Sequence, residues 1–136
     1  MITAVDSNVI FDVLAQDPVH AGTSEAAFGS AIAGGELVAC EVVWAETAAW
    51  FSSAEQQASS LGQIGIRFLA LEATSSHAAG QIWRRYREAG GHRTRLVSDF
   101  LIGAHAQLQA DQLLTRDRGF YRNHFKDLRI IEPAQS

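Results

Sequence analysis

A chain of 136 residues, 47% of them apolar, can bury one sizeable core and does not have the composition of a disordered polymer. Fifteen acidic against eleven basic residues leave a net charge of −4, which argues against a broad nucleic-acid-coating or membrane-binding surface but permits a local basic patch. Cys40 is the single cysteine, so no intrachain disulfide forms; with no charged-then-apolar leader and no long apolar run, the expectation is a soluble cytoplasmic protein.

The chain opens with Ile2-Thr3-Ala4-Val5, a short uncharged run that reads as a strand and stops at Asp6-Ser7-Asn8. Over 8–15, Val9, Ile10, Val13 and Leu14 fall at helical spacing, with Ser7 or Asn8 as the cap. Asp17-Pro18 breaks that helix, and 19–33 forms the next, ended by Gly34-Gly35. A second strand is expected over 37–40. Residues 41–51 read as a helix carrying Val42, Val43, Trp44 and Trp50, and 52–65 as another. A third strand over 67–71 leads into a helix over 75–89. Its apolar side holds Ala79, Ile82, Trp83 and Tyr86, and its outer side Arg84, Arg85, Arg87 and Glu88. Gly90-Gly91-His92-Arg93-Thr94-Arg95 is a basic loop. A helix follows over 98–109, with Ser98 as N-cap and Leu101, Ile102, Ala104 and Leu108 on its buried side. Strands over 112–115 and 128–131 flank a loop or short helix at 117–124. Short apolar strands alternating with longer helices predict one α/β domain over 1–136, with a parallel central sheet of about five strands and helices on both faces.

Four acids sit where a solvated face would not put them. Asp6 closes the first strand and Asp117 follows the fourth, so both lie at the carboxyl edge of the sheet, where open α/β folds place ligands. Glu46 falls on the stripe of Val42, Val43, Ala49 and Trp50, and Asp99 on that of Ile102, Gly103 and Ala106, so both are expected to point inward. No lysine or arginine shares those stripes. Converging carboxylates repel one another unless a divalent cation neutralises them, and all-oxygen ligation selects a hard ion, Mg²⁺ or Mn²⁺. Structural alternatives stand beside this reading. Asp99 is also a first-turn acid favoured by the helix dipole, and Asp117 a turn residue before Gly119.

Asp6-Ser7-Asn8-Val9-Ile10, Val42-Val43-Trp44-Ala45-Glu46, the 98–106 segment and the 113–121 segment resemble, in order, the motifs of PIN-domain nucleases. Among these the chain is most similar to the VapC-type ribonuclease toxins of bacterial toxin–antitoxin pairs, and the resemblance runs to Leu128-Arg129-Ile130-Ile131-Glu132-Pro133. It implies a PIN-like fold, a metal-dependent endoribonuclease activity, a homodimer and a cognate antitoxin. The family's acidic quartet falls on Asp6, Glu46, Asp99 and Asp117, and its supporting hydroxyl on Thr115. Gly103 departs from the usual alanine, a difference of packing rather than chemistry.

The chemistry expected is hydrolysis of an RNA phosphodiester, with Mg²⁺ (or Mn²⁺) held mainly by Asp6 and Asp99 and aided by Glu46 and Asp117. Substrate grip falls to Arg93, Arg116 and Arg118, with Thr115 beside them; phosphate contact and simple solvation are both open for these arginines. Arg84, Arg85 and Arg87 read as solvated, His105 as off the acidic face, and the three tryptophans as core or dimer-interface residues. Two rivals remain. A phosphoryl-transfer enzyme of the haloacid-dehalogenase type would use Asp6 as nucleophile, but it wants an acid at position 8, where Asn8 stands. A catalytically degenerate nucleic-acid-binding domain could keep the acids without using them.

Overall fold

The centre of the fold is β1 (Ile2–Val5), where Thr3, Ala4 and Val5 are almost wholly buried. The computed structural model describes residues 1–91 and 97–133. Strands β2 (Glu36–Ala39) and β4 (Gln112–Leu114) pair with β1 in parallel on either side. At the edges, β3 (Ile66–Phe68) pairs with β2 and β5 (Ile130–Ile131) with β4, giving the order β3-β2-β1-β4-β5. Uncharged strand cores of this kind are what a parallel sheet covered on both faces requires. Helices α1 (Ser7–Leu14) and α2 (Ala21–Ala33) link β1 to β2, and α3 (Glu41–Ala48) and α4 (Ala54–Ile64) link β2 to β3. The antiparallel pair α5 (Ala73–Glu88) and α6 (Val97–Gln109) carries the chain back across the sheet to β4, and α7 (Arg118–His124) leads on to β5. The chain thus departs from β1 in one direction and resumes beside it in the other. The topological switch point lies between β1 and β4, at their carboxyl ends. The expected α/β architecture is the observed one.

The differences lie at element ends and have local causes. Asp6, not Ser7 or Asn8, caps α1, its carboxylate accepting from the Ser7 N–H. Ser98 lies inside α6, which begins at Val97. The helix expected over 41–51 ends at Ala48, because the Trp50 and Phe51 amides close three-residue turns onto Thr47 and Ala48. Ser53 then caps a fresh helix through the Gln56 N–H. Trp50 is therefore off the helix and half exposed, and Leu108, expected in the core, is exposed as well.

Beneath the sheet's carboxyl edge lies an aromatic cluster. Phe100, wholly buried, packs its ring on Tyr86, Phe120, Phe125 and His124. Gly103 makes room for this cluster: a Cβ there would stand 2.4 Å from the Phe125 ring. The departure from alanine is one of packing, as the sequence suggested. No helix of the described residues is long and apolar enough to cross a membrane.

Candidate active site

The register that pairs Val5 with Leu114 sets Asp6 opposite Thr115, and the Asp6 N–H donates to the Leu114 carbonyl at 2.9 Å. Asp6 is 5% exposed. Its Oδ1 accepts from the Ser7 amide at 2.8 Å. Its Oδ2 accepts from the Thr115 hydroxyl at 2.8 Å, the Tyr121 hydroxyl at 3.1 Å and the Asn8 side-chain amide at 3.5 Å. Every one of these donors is neutral. Burial pushes the Asp6 pKa up to about 6; hydrogen bonds from Thr115, Tyr121 and Ser7 restrain the rise, and the nearby charge of Asp99 adds to it.

Asp99 stands in the first turn of α6, fixed by its neighbour Phe100 in the aromatic cluster. Its charge also reaches Glu46, whose pKa is raised by partial desolvation first and by Asp99 in addition, against a hydrogen bond from Ser7. The Ser7 hydroxyl donates to Glu46 Oε1 at 3.0 Å, joining α1 to α3. Glu46 itself is exposed on the rim rather than turned into the core; Val43 and Thr47 form the buried face of α3, and Glu46 stands beside it. The Asp117 amide donates to the Thr115 hydroxyl at 3.0 Å. Tyr121, fully buried, has its pKa raised by burial first and then by the charges of Asp6, Asp99 and Asp117. Fields from all four acids therefore overlap at one sheet edge.

The donor set is all oxygen and the local charge negative, which suits a hard divalent cation more than a soft one. Among the described residues, no three His, Cys, Asp or Glu side chains converge tightly enough, as they stand, to grip an ion. The fit is thus one of charge and donor chemistry: Asp6 with only neutral partners, under the field of Asp99.

The other expected residues are placed differently. Arg93 lies outside the described residues. Thr115 is wholly buried and its hydroxyl serves Asp6 and Asp117, so it is no substrate contact. Arg116 gives Nε and Nη2 to Asp12 at 2.8 and 2.6 Å. Arg118 pairs with Glu132 at 3.2 Å. His105 is buried and its Nε2 meets the Leu69 carbonyl at 2.8 Å; burial lowers its pKa.

Three residues of the site had no role assigned from sequence. Tyr121 follows Asp117 by four positions on one helical segment, a spacing that could have marked it as a neighbour. Asn8 was read as a candidate helix cap and as the missing second acid, yet its amide bridges Asp6, Thr115 and the Arg116 backbone. Asp12, among Val9, Ile10 and Val13, is the same kind of inward acid as those that drew attention elsewhere.

The sequence model of the PIN domain matches residues 3–126. No curated protein matches the chain. Solved structures do. VapBC2 from Rickettsia felis, bound to a DNA fragment from its promoter, matches with a TM-score of 0.76 at 16% identity, over 97% of this chain and 98% of that one. FitAcB from Neisseria gonorrhoeae matches at 0.70 and 22% identity, over 98% of both chains. A toxin–antitoxin complex from Klebsiella pneumoniae matches at 0.71 and 13% identity, over 98% and 99%. Likeness at these identities is likeness of fold.

Proposed function

The chain belongs to the PIN-domain family, and from that premise we propose that it is a Mg²⁺- or Mn²⁺-dependent endoribonuclease, the toxin of a toxin–antitoxin pair. The observation that carries the reading is Asp6: a carboxylate buried at the switch point, with only neutral donors, in the field of Asp99. Asp6 and Asp99 would hold the cation, with Glu46 and Asp117 completing the acidic set. A bound divalent cation supplies Lewis-acid polarisation of the phosphodiester and eases ionisation of the attacking water. Thr115 and Tyr121 orient Asp6 by filling Oδ2, so that Oδ1, with a single donor, is the oxygen with capacity to spare. Ser7 orients Glu46. Asn8 ties the first acid to the β4–α7 loop and takes no part as an acid, which weighs against the aspartyl-phosphate rival.

The antitoxin partner is supported by fold analogy to the Klebsiella toxin–antitoxin complex; the homodimer rests on the resemblance of the motifs alone. The test is cleavage of a structured RNA in Mg²⁺ and in chelator, with Asp6→Asn and Asp99→Asn beside the wild type. Cation-dependent cutting lost in both variants is the expected result; undiminished cutting in both sinks the mechanism. Turnover of a small phosphate ester without RNA cleavage would favour the phosphoryl-transfer rival, and a preference for DNA would move the assignment to another nuclease branch.

A further inference from the structure

The β4–α7 loop carries Thr115 and Asp117, and one face of α1 holds it. Asp12 is 3% exposed. Its Oδ1 accepts from Arg116 Nη2 at 2.6 Å, and its Oδ2 accepts from Arg116 Nε and the buried Ser24 hydroxyl, each at 2.8 Å. This two-pronged geometry fixes the plane of the guanidinium as well as its charge. Asn8, one helical turn before Asp12 on the same face, accepts from the Arg116 backbone N–H at 3.3 Å and reaches the Thr115 hydroxyl at 3.4 Å. Residue 116 is therefore gripped by both main chain and side chain. The main-chain grip is the longer and weaker of the two.

We propose that Asp12 is a positioning residue for the reaction, acting through Arg116 to set the loop that places Thr115 against Asp6 and carries Asp117. The proposal rests on the nuclease reading above. It also gives Arg116 a different task from phosphate contact: two of its three guanidinium nitrogens are spent on Asp12. Ser24 extends the hold to α2, so three elements converge on one carboxylate. Lysine at position 116 would present a point charge and lose the fork.

The experiment uses the full chain with Asp12→Asn, Arg116→Ala, Arg116→Lys and the Asp12→Asn/Arg116→Ala double variant, at a temperature where melting curves show all of them folded. Mn²⁺ affinity is measured without RNA, and kcat and KM with it. Each single change should weaken Mn²⁺ binding and lower kcat about tenfold, the low end for a supporting partner of a metal ligand, with KM for RNA unchanged. The double variant should be no worse than either single, because both remove one interaction. Arg116→Lys should recover little. Exchange of backbone amides with deuterium should quicken over 115–117 in Asp12→Asn. The proposal is overturned if Arg116→Ala raises KM alone, or if Asp12→Asn tightens RNA binding, since Arg116 would then be a phosphate contact. Melting shifts with kcat, KM and Mn²⁺ binding untouched would overturn it too, leaving a purely structural ion pair. A wild type that neither binds Mn²⁺ nor cuts RNA overturns the nuclease reading itself, a result distinct from an active wild type with unaltered variants.

Discussion

Asp6 and Asp12 bracket a turn and a half of chain and are almost equally hidden, 5% and 3% exposed. Asp12 meets a guanidinium and a hydroxyl. Asp6 meets a backbone amide, two hydroxyls and a side-chain amide, none of them charged. An ionised carboxylate withdrawn from water is costly unless a cation shares its surroundings. Asp12 has an internal cation; for Asp6 the cost appears as a pKa raised to about 6. Burial alone therefore does not mark a functional acid. Burial among neutral partners, at a sheet's switch point and beside other acids, is what the proposed role of Asp6 rests on.

Removing the Asp6 charge should break the contrast most severely. Asp6→Asn keeps the shape of the side chain but should lower RNA cleavage on the order of a thousandfold, since a cation's charge stabilisation is worth several kcal/mol at about 1.4 kcal/mol per decade. Initial rates at saturating Mg²⁺ read this out, and a loss below tenfold would locate the ion away from Asp6.

The same carboxylate should make the cation-free fold sensitive to pH. Its folded pKa of about 6 stands above the ordinary 3.8. Below the ordinary value the group is protonated in both states and its contribution is fully present. As pH rises toward and through about 6, the unfolded chain gives up its proton first, so folding stability falls, by about 3 kcal/mol in all. Urea unfolding in chelator near pH 4 and near pH 7 should show this loss in the wild type and not in Asp6→Asn. Added Mg²⁺ should restore stability at neutral pH in the wild type alone. Equal pH dependence in the two proteins would remove Asp6 as its source.

A destabilisation without charge gives the control. Gly103→Ala would drive a methyl to within 2.4 Å of the Phe125 ring, which is buried and would have to shift to accept it. Overpacking of this kind costs about 1–3 kcal/mol, and thermal melting should show the same loss at both pH values. A loss that varied with pH would mean that the aromatic cluster, through Phe100, also sets the field around Asp99. This position shows what was legible in the sequence. Alternating short strands and amphipathic helices gave the sheet, and carboxylates at strand ends gave Asp6 and Asp117 a shared edge. Glu46 was misjudged because a stripe defines a direction on a helix but not how far the helix is set into the core. The ion pair of Arg116 was not legible because its partner, Asp12, lies 104 positions away, a contact made only by the β1–β4 pairing. Gly103 could be flagged, but the ring it accommodates belongs to another element.

Tyr121 tests whether neutral partners matter to Asp6 individually. Tyr121→Phe removes one donor from Oδ2 and leaves Thr115 in place. Cation affinity and kcat should each fall about tenfold, the lower bound for a group supporting a metal ligand, because the remaining hydroxyl still orients the carboxylate. Mn²⁺ titration followed by calorimetry measures the first without RNA. Loss of affinity equal to that of Asp6→Asn would mean that Tyr121 is itself a ligand.

Arg67 and Glu36 complete the series as a pair that is charged but not buried. They meet at 3.1 Å across the β2–β3 register, with side chains 51% and 55% exposed. The geometry resembles a single prong of the Asp12–Arg116 contact, yet water already solvates both ions, and holding two long side chains together costs conformational entropy. Such pairs contribute about 0–1 kcal/mol, and Arg67→Ala should move stability by no more than about 0.5 kcal/mol. Urea unfolding in low salt, where the pair is screened least, is the most sensitive measurement. If Arg67→Ala proved as damaging as Asp12→Asn, accessibility would not be what separates the exposed ion pair from the buried one.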